Sequence, residues 1–324
     1  MKTITNPISN IPVNPKSHTH GWAQLWKEQL DASINYKCTP NTLKSNVLYI
    51  DHGANFSGTL NLFGGATKEV YDKINIVCSH PNVVSLDWDM PDYGAMLKKR
   101  IGAKTTYEGI TEEWCDRVSA RLNNVTSLKQ QDLNYGSVTL GDSHSIAFSG
   151  PEHRVLRNDG KTLHGALKEG LDNLLRGIIP TGNVFLCFGS IDIRHHLLRH
   201  GDGAVDKLID EYIRQGTELE AKYDVSVYYC YPVPVEHEDR RIPKSGYYKK
   251  TPFYGSATDR RDLTMDFITQ LEDKSGGMII DPPHSWYTMD GKSYAEKYME
   301  FGGSFHIAPP FYYRNNWGES PLGA

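Results

Sequence analysis

The densest chemistry in this sequence lies in short polar blocks of its second half. Gly141-Asp142-Ser143-His144-Ser145 follows a β-branched and apolar run. Glycine permits a tight turn there, and a helix beginning just after it would aim backbone N–H groups at Ser143. A serine so placed is poised to attack an electrophilic carbon. Asn158-Asp159-Gly160-Lys161-Thr162 opens a helix after the next strand, where Gly160 lets a bare N–H approach a developing oxyanion. A third block, Gly189 to His196, places Asp192, Arg194, His195 and His196 at the end of another apolar run. Asp281-Pro282-Pro283-His284 and Ser304-Phe305-His306-Ile307 follow later. A serine, several carboxylates and late histidines are the inventory of nucleophilic acyl chemistry.

Plainer readings stand beside each of these. Ser143 is also a good helix-capping residue, and Asp192 with Arg194 would make a buried ion pair. His195, His196 and His200 lack a carboxylate in register, so no metal is expected. The charged loop Glu236 to Lys250 reads first as solvated, with an anionic or sugar substrate as its sharper alternative. Asp51-His52-Gly53 through Gly64-Gly65 has no phosphate-loop pattern, so Asp51 and Asn61 are read as turn residues. The aromatics Phe311, Tyr312, Tyr313 and Trp317 either line a carbohydrate cleft or cover a sheet edge.

The elements that must position the blocks follow from periodicity. Short runs at Ser137 to Leu140, Arg154 to Arg157, Val184 to Phe188, Val225 to Tyr231 and Met278 to Ile280 are apolar enough for strands buried on both faces. Between them, Leu163 to Arg176, Ala204 to Lys222 and Arg261 to Leu271 carry apolar residues at three and four spacing, the mark of amphipathic helices. The alternation predicts an α/β fold: a three-layer sandwich around a mostly parallel sheet, with ligands at the carboxyl ends of its strands. Residues 21 to 135 are less regular, with a helix at Trp22 to Leu30, strands at Val47 to Asp51 and Val83 to Leu86, and a helix near Trp114 to Leu122. This stretch is read as an extension adding strands to the same sheet, or as a small domain, because no linker divides it from residues 136 to 324. Residues 1 to 20 read as a disordered tail. The loop from Pro232 to Thr258 is long enough to act as a lid or binding loop.

At 324 residues, 39% of them hydrophobic and 23% charged, the chain can bury a substantial core. A formal net charge of −4 gives no general attraction to nucleic acid or anionic membrane. Five cysteines, odd in number and without a Cys-x-x-Cys pair, suggest neither a disulfide framework nor a zinc site. With no apolar leader in the first residues and no run of membrane-spanning length, a cytoplasmic location is expected.

The order of the blocks resembles that of SGNH (GDSL-like) hydrolases: Gly-Asp-Ser early, a glycine after the second strand, Gly-x-x-Asp after the third, and a late histidine. The segment Phe188 to His196 is similar to a Gly-Glu-Ile-Asp-Cys-Arg-x-His variant of that family in bacterial and phage proteins. The likeness covers roughly residues 136 to 315. It implies a flavodoxin-like sandwich and an esterase or deacylase acting without a cofactor. Ser143 would be the nucleophile and His306 the general base, with the N–H groups of Ser143 and Gly160 in the oxyanion hole. The implied partner is a small-molecule or glycan ester, such as an O-acetylated sugar. Two departures are visible. The family's oxyanion asparagine corresponds to Ile191, leaving Arg194 or His196 to substitute. Its aspartate three residues before the base corresponds to Gly303, leaving Asp192 or Asp281 to orient the histidine. Asp142 completes the first block, and Asp281 with His284 is the alternative base pair. The rival readings are an SGNH-fold binding or assembly protein without turnover, and a transferase acting on nucleotide-linked or nucleic-acid substrates.

Overall fold

The computed structural model describes residues 1–6, 23, 26–27, 29–51, 66–86, 92–102, 105–128, 136–150, 152–201, 203–232, 253–283, 286, 296–300 and 306–312. The chain divides into two compact units, Met1–Asp132 and Leu133–Ala324. Each has its own five-stranded sheet.

In the first unit, β1 (Lys2–Thr5), β2 (Ser33–Ile34), β3 (Val47–Ile50), β4 (Val83–Leu86) and β5 (Thr126–Leu128) pair in the order β2-β1-β3-β4-β5, all parallel. Its helices are α1 (Lys68–Ser79), α2 (Tyr93–Lys98) and α3 (Glu112–Leu122), N-capped by the side chains of Thr67, Asp92 and Thr111. Val70, Ile74 and Val77 of α1 and Trp114, Val118 and Leu122 of α3 bury one apolar face each. The described residues between Ala23 and Leu30 are helical, in line with the apolar periodicity there. Two expectations change. Residues Lys2–Thr5 are not a tail but an interior strand, because Thr3, Ile4 and Thr5 are buried between β2 and β3. The stretch before residue 133 does not extend the second sheet; it closes a sheet of its own.

In the second unit, β6 (Ser137–Gly141), β7 (His153–Arg157), β8 (Val184–Cys187), β9 (Val227–Cys230) and β10 (Ile279–Ile280) pair in the order β10-β9-β8-β6-β7, again all parallel. Read from the start of each unit, both sheets have the doubly wound order 2-1-3-4-5. Val184-Phe185-Leu186-Cys187 is fully buried, as a middle strand covered on both faces must be. The helices are α4 (Leu163–Glu169), α5 (Leu171–Leu174), α6 (Ser190–His195), α7 (Leu197–His200), α8 (Ala204–Tyr223) and α9 (Ala257–Ser275). The helix α8 turns Val205, Ile209, Tyr212 and Leu219 inward, and α9 starts on a reciprocal Ser256–Asp259 capping box. Among the described residues, no helix is long and apolar enough to cross a membrane.

The single helix expected over Leu163 to Arg176 is broken at Gly170, whose φ of +93° ends α4. Gln215 of α8 supports the break. Its side-chain oxygen accepts from Leu171 N–H at 2.9 Å and its amide donates to the Leu167 carbonyl at 2.8 Å. A buried glutamine thus satisfies backbone groups near the interruption.

The carboxyl end of β6 is clamped from both sides. Asp142 N–H donates to the Cys187 carbonyl at 3.0 Å, and Asn158 N–H donates to the Gly141 carbonyl at 2.8 Å. A side chain at Gly141 would drive its Cβ into the Cys187 carbonyl oxygen and to 2.8 Å from the Cys187 Cβ. Gly141→Ala is therefore expected to lower unfolding stability by at least about 1–3 kcal/mol. Urea denaturation checks this, and an unchanged midpoint would mean that the strands separate without cost.

Candidate active site

Ser143 leaves β6 at the point where the order of the sheet reverses, with β7 on one side and β8 on the other. Crevices at such switch points are where open parallel sheets bind ligands. The expected helix after Ser143 is absent. Residues 143 to 148 instead form consecutive turns, with Ser145 N–H donating to the Asp142 carbonyl and Ala147 N–H to that of His144. A helix dipole therefore does not act on Ser143. Its half-buried side chain is held by side-chain geometry: Ser143 Oγ lies 2.9 Å from His306 Nε2.

A short antiparallel pairing supplies that histidine. Met299 and Ile307 face each other in an isolated bridge, Glu300 N–H donates to the His306 carbonyl at 3.1 Å, and Ala308 N–H donates to that of Tyr298 at 2.8 Å. In this register Glu300 stands directly opposite His306, and directly opposed residues project to the same face. Glu300 Oε2 accordingly sits 3.4 Å from His306 Nδ1, with side chains only 5% and 11% exposed. Serine, imidazole and carboxylate form one line. The sequence reading missed Glu300, since it looked for a carboxylate three residues before the base. The available signal was the sequence pair Gly302-Gly303 between Glu300 and His306, a composition that favours hairpin connections.

Asp142 and His144 form a second layer against this line. Asp142 Oδ1 accepts from both His144 N–H and His144 Nδ1–H at 2.8 Å, and the two side chains are almost completely buried. The His144 ring stacks on that of His306 with centroids 4.7 Å apart and planes 24° from parallel. Asp142 thus fixes the slab against which the His306 ring rests, rather than facing a substrate.

Asp192 does not take the orienting role that the sequence suggested. Its two oxygens accept the first backbone N–H groups of α4, from Leu163 at 2.6 Å and His164 at 3.1 Å. Burial pushes its carboxyl up to about 6, against the lowering effect of those hydrogen bonds. Arg194 is buried with its guanidinium 5.8 Å above the Phe253 ring, and the Arg260 guanidinium lies 5.0 Å from the same ring. His196 caps α6, half-buried, and burial followed by the positive charge of His200 lowers its proton affinity. Gly160 adopts φ +74° in the turn before α4, with open space where a side chain would project. Asp281 is exposed after β10, while its partner His284 lies outside the described residues, as does nearly all of the long loop after Pro232. In the first unit, Asp51 is buried at the end of β3 and accepts a hydrogen bond from the Tyr36 hydroxyl; Asn61 lies outside the described residues.

No protein-family model and no curated protein matches the chain. Among solved structures it is similar to an acetyl xylan esterase, 16% identical over 45% of this chain and 76% of that one, with a TM-score of 0.31. It is also similar to a Streptococcus pneumonia protein provisionally described as a platelet activating factor, 11% identical over 57% and 84%, with a TM-score of 0.40. Likenesses this distant decide nothing about activity. The fold itself is an α/β arrangement consistent with the SGNH and flavodoxin-like sandwich.

The raised Asp192 carboxyl has a measurable consequence. The folded protein holds this proton more tightly than the unfolded chain, so the associated stability is complete below pH 4 and is lost as pH rises through about 6. The shift corresponds to about 3 kcal/mol. Between pH 4 and pH 7, wild type should lose about that much more stability in urea than Asp192→Asn does, whereas parallel pH profiles would contradict the assignment.

Proposed function

We propose that this protein is a serine hydrolase that cleaves an ester through an acyl-enzyme. The observation that carries the reading is the line Ser143 Oγ, His306 Nε2, His306 Nδ1, Glu300 Oε2, with separations of 2.9 and 3.4 Å. In the mechanism this supports, Ser143 Oγ attacks the acyl carbon as its proton passes to His306 Nε2. Glu300 stabilises the resulting imidazolium and holds the tautomer that leaves Nε2 free to accept. Collapse of the tetrahedral adduct breaks the bond to the alcohol oxygen, which takes the proton from His306. Water then repeats the sequence on the acyl-serine, releasing the acid and restoring Ser143.

Backbone N–H groups of Ser143 and Gly160 are the assigned oxyanion donors. Ile191 has no side-chain donor to add. Arg194, packed over Phe253, is a framework residue, and His196, at the end of α6, lines the cavity between α4 and α8. The substrate class that fits the reading is an O-acyl compound, with an O-acetylated sugar or glycan as its finer form.

A fluorophosphonate probe followed by intact mass tests the nucleophile. One adduct is expected on wild type and none on Ser143→Ala or His306→Ala. An adduct on Ser143→Ala would reject the assignment. Absence of both labelling and p-nitrophenyl acetate hydrolysis in wild type would favour an SGNH-fold binding protein.

Glu300 has a separate test. Glu300→Gln keeps the size of the side chain but removes the charge facing the imidazolium, so kcat for p-nitrophenyl acetate should fall roughly 10²–10⁴-fold with little change in KM. Unchanged kcat would leave Glu300 as a structural partner only.

A further inference from the structure

Positive charge converges on a cavity that neither Ser143 nor His306 lines. The cavity has a volume of about 550 Å³ and lies between α4, the α6–α7 segment and the start of α8. Leu167, Leu197 and Leu208 give it an apolar wall. Around them stand His164 and Lys168 from α4, His196 and His200 from the α6–α7 segment, and Lys207 from α8.

The carboxylates facing the same space are already engaged. Asp192 accepts the backbone N–H groups of Leu163 and His164. Glu211 is bound by Arg214 and by the amide of Gln215, and Arg214 keeps it ionised well below the usual carboxylate range. Lys168 and Lys207 have no carboxylate partner among the described residues, and both are exposed. Arg199, near His196, is turned over the Tyr254 ring at 4.1 Å and donates to the His195 carbonyl. After burial, the charges of His200, Arg199 and His164 are what disfavour a further proton on His196, so the field in the cavity is positive.

An apolar wall with two uncommitted ammonium groups and three imidazoles suits a ligand of mixed character. We propose that this cavity binds an organic anion, seating its apolar body on the three leucines and its phosphate or carboxylate head among His196, His200, Lys168 and Lys207. The site is independent of turnover at Ser143.

Titration of the full chain with phenyl phosphate by calorimetry, at pH 7, tests the site. Saturable binding is expected, weakened at least roughly tenfold in the double variant Lys168→Glu, Lys207→Glu. Inorganic phosphate, without a body, and benzyl alcohol, without a charge, should each bind at least roughly tenfold more weakly. Benzoate in place of phenyl phosphate separates a carboxylate preference from a phosphate one. Ring ¹H–¹⁵N spectra of the wild type add a readout that needs no variant, since His164, His196 and His200 should shift with the same saturation curve. The proposal is overturned if these rings do not respond, if benzyl alcohol binds as well as phenyl phosphate, or if the folded double variant keeps wild-type affinity.

Discussion

The second unit depends on the close contact of β6 with β8 at Gly141. A hydrogen atom in place of a side chain lets the Cys187 carbonyl accept Asp142 N–H, while the Gly141 carbonyl accepts Asn158 N–H from the β7 side. The last residue of β6 is thereby fixed in all directions before the chain turns. Ser143 inherits that rigidity two residues later. The nucleophile proposed at Ser143 would have to be held to within a fraction of an ångström, and a strand end locked into a buried parallel sheet is among the stiffest supports available.

The imidazole reaches the serine by different means. Its segment belongs to no strand of the main sheet, and its position follows from a local antiparallel pairing of residues 298–300 with 306–308. That pairing does two things together: it presents His306 to Ser143 and sets Glu300 on the same face as His306. The buried Asp142–His144 pair then braces the ring from one side. Among the described residues, the side chains of Asp142, His144, Glu300 and His306 are thus each oriented by a partner beside Ser143, which is how a low-dielectric site keeps charge in a defined place.

Asp192 shows how an acidic residue in a functional block can serve the framework. A carboxylate buried to this degree carries a large desolvation cost. It survives because two backbone N–H groups at the start of α4 need an acceptor, and because protonation remains accessible at mildly acidic pH. Its neighbour Arg194 is likewise drawn inward, to the face of Phe253. The polar density of the block from Gly189 to His196 thus reflects three tasks within eight residues: holding α4, packing under Phe253, and lining the cavity beside α8.

Local pattern alone determined the α/β class, the parallel second sheet and the place of Ser143. These depend on apolar runs, helical spacing and glycine turns, which act over a few residues and are written in order along the chain. Helix continuity was misread at Gly170 because a glutamine from α8, more than forty residues away, supports the break. The strand Lys2–Thr5 was hidden because four residues in a polar context give little periodicity, and its burial comes from neighbours thirty and more residues later. Only the tertiary structure decided which carboxylate meets His306. Asp192 was the candidate by sequence block and Glu300 is the neighbour in space, because side-chain direction across an antiparallel pair is set by register, and register is not a property of either segment alone.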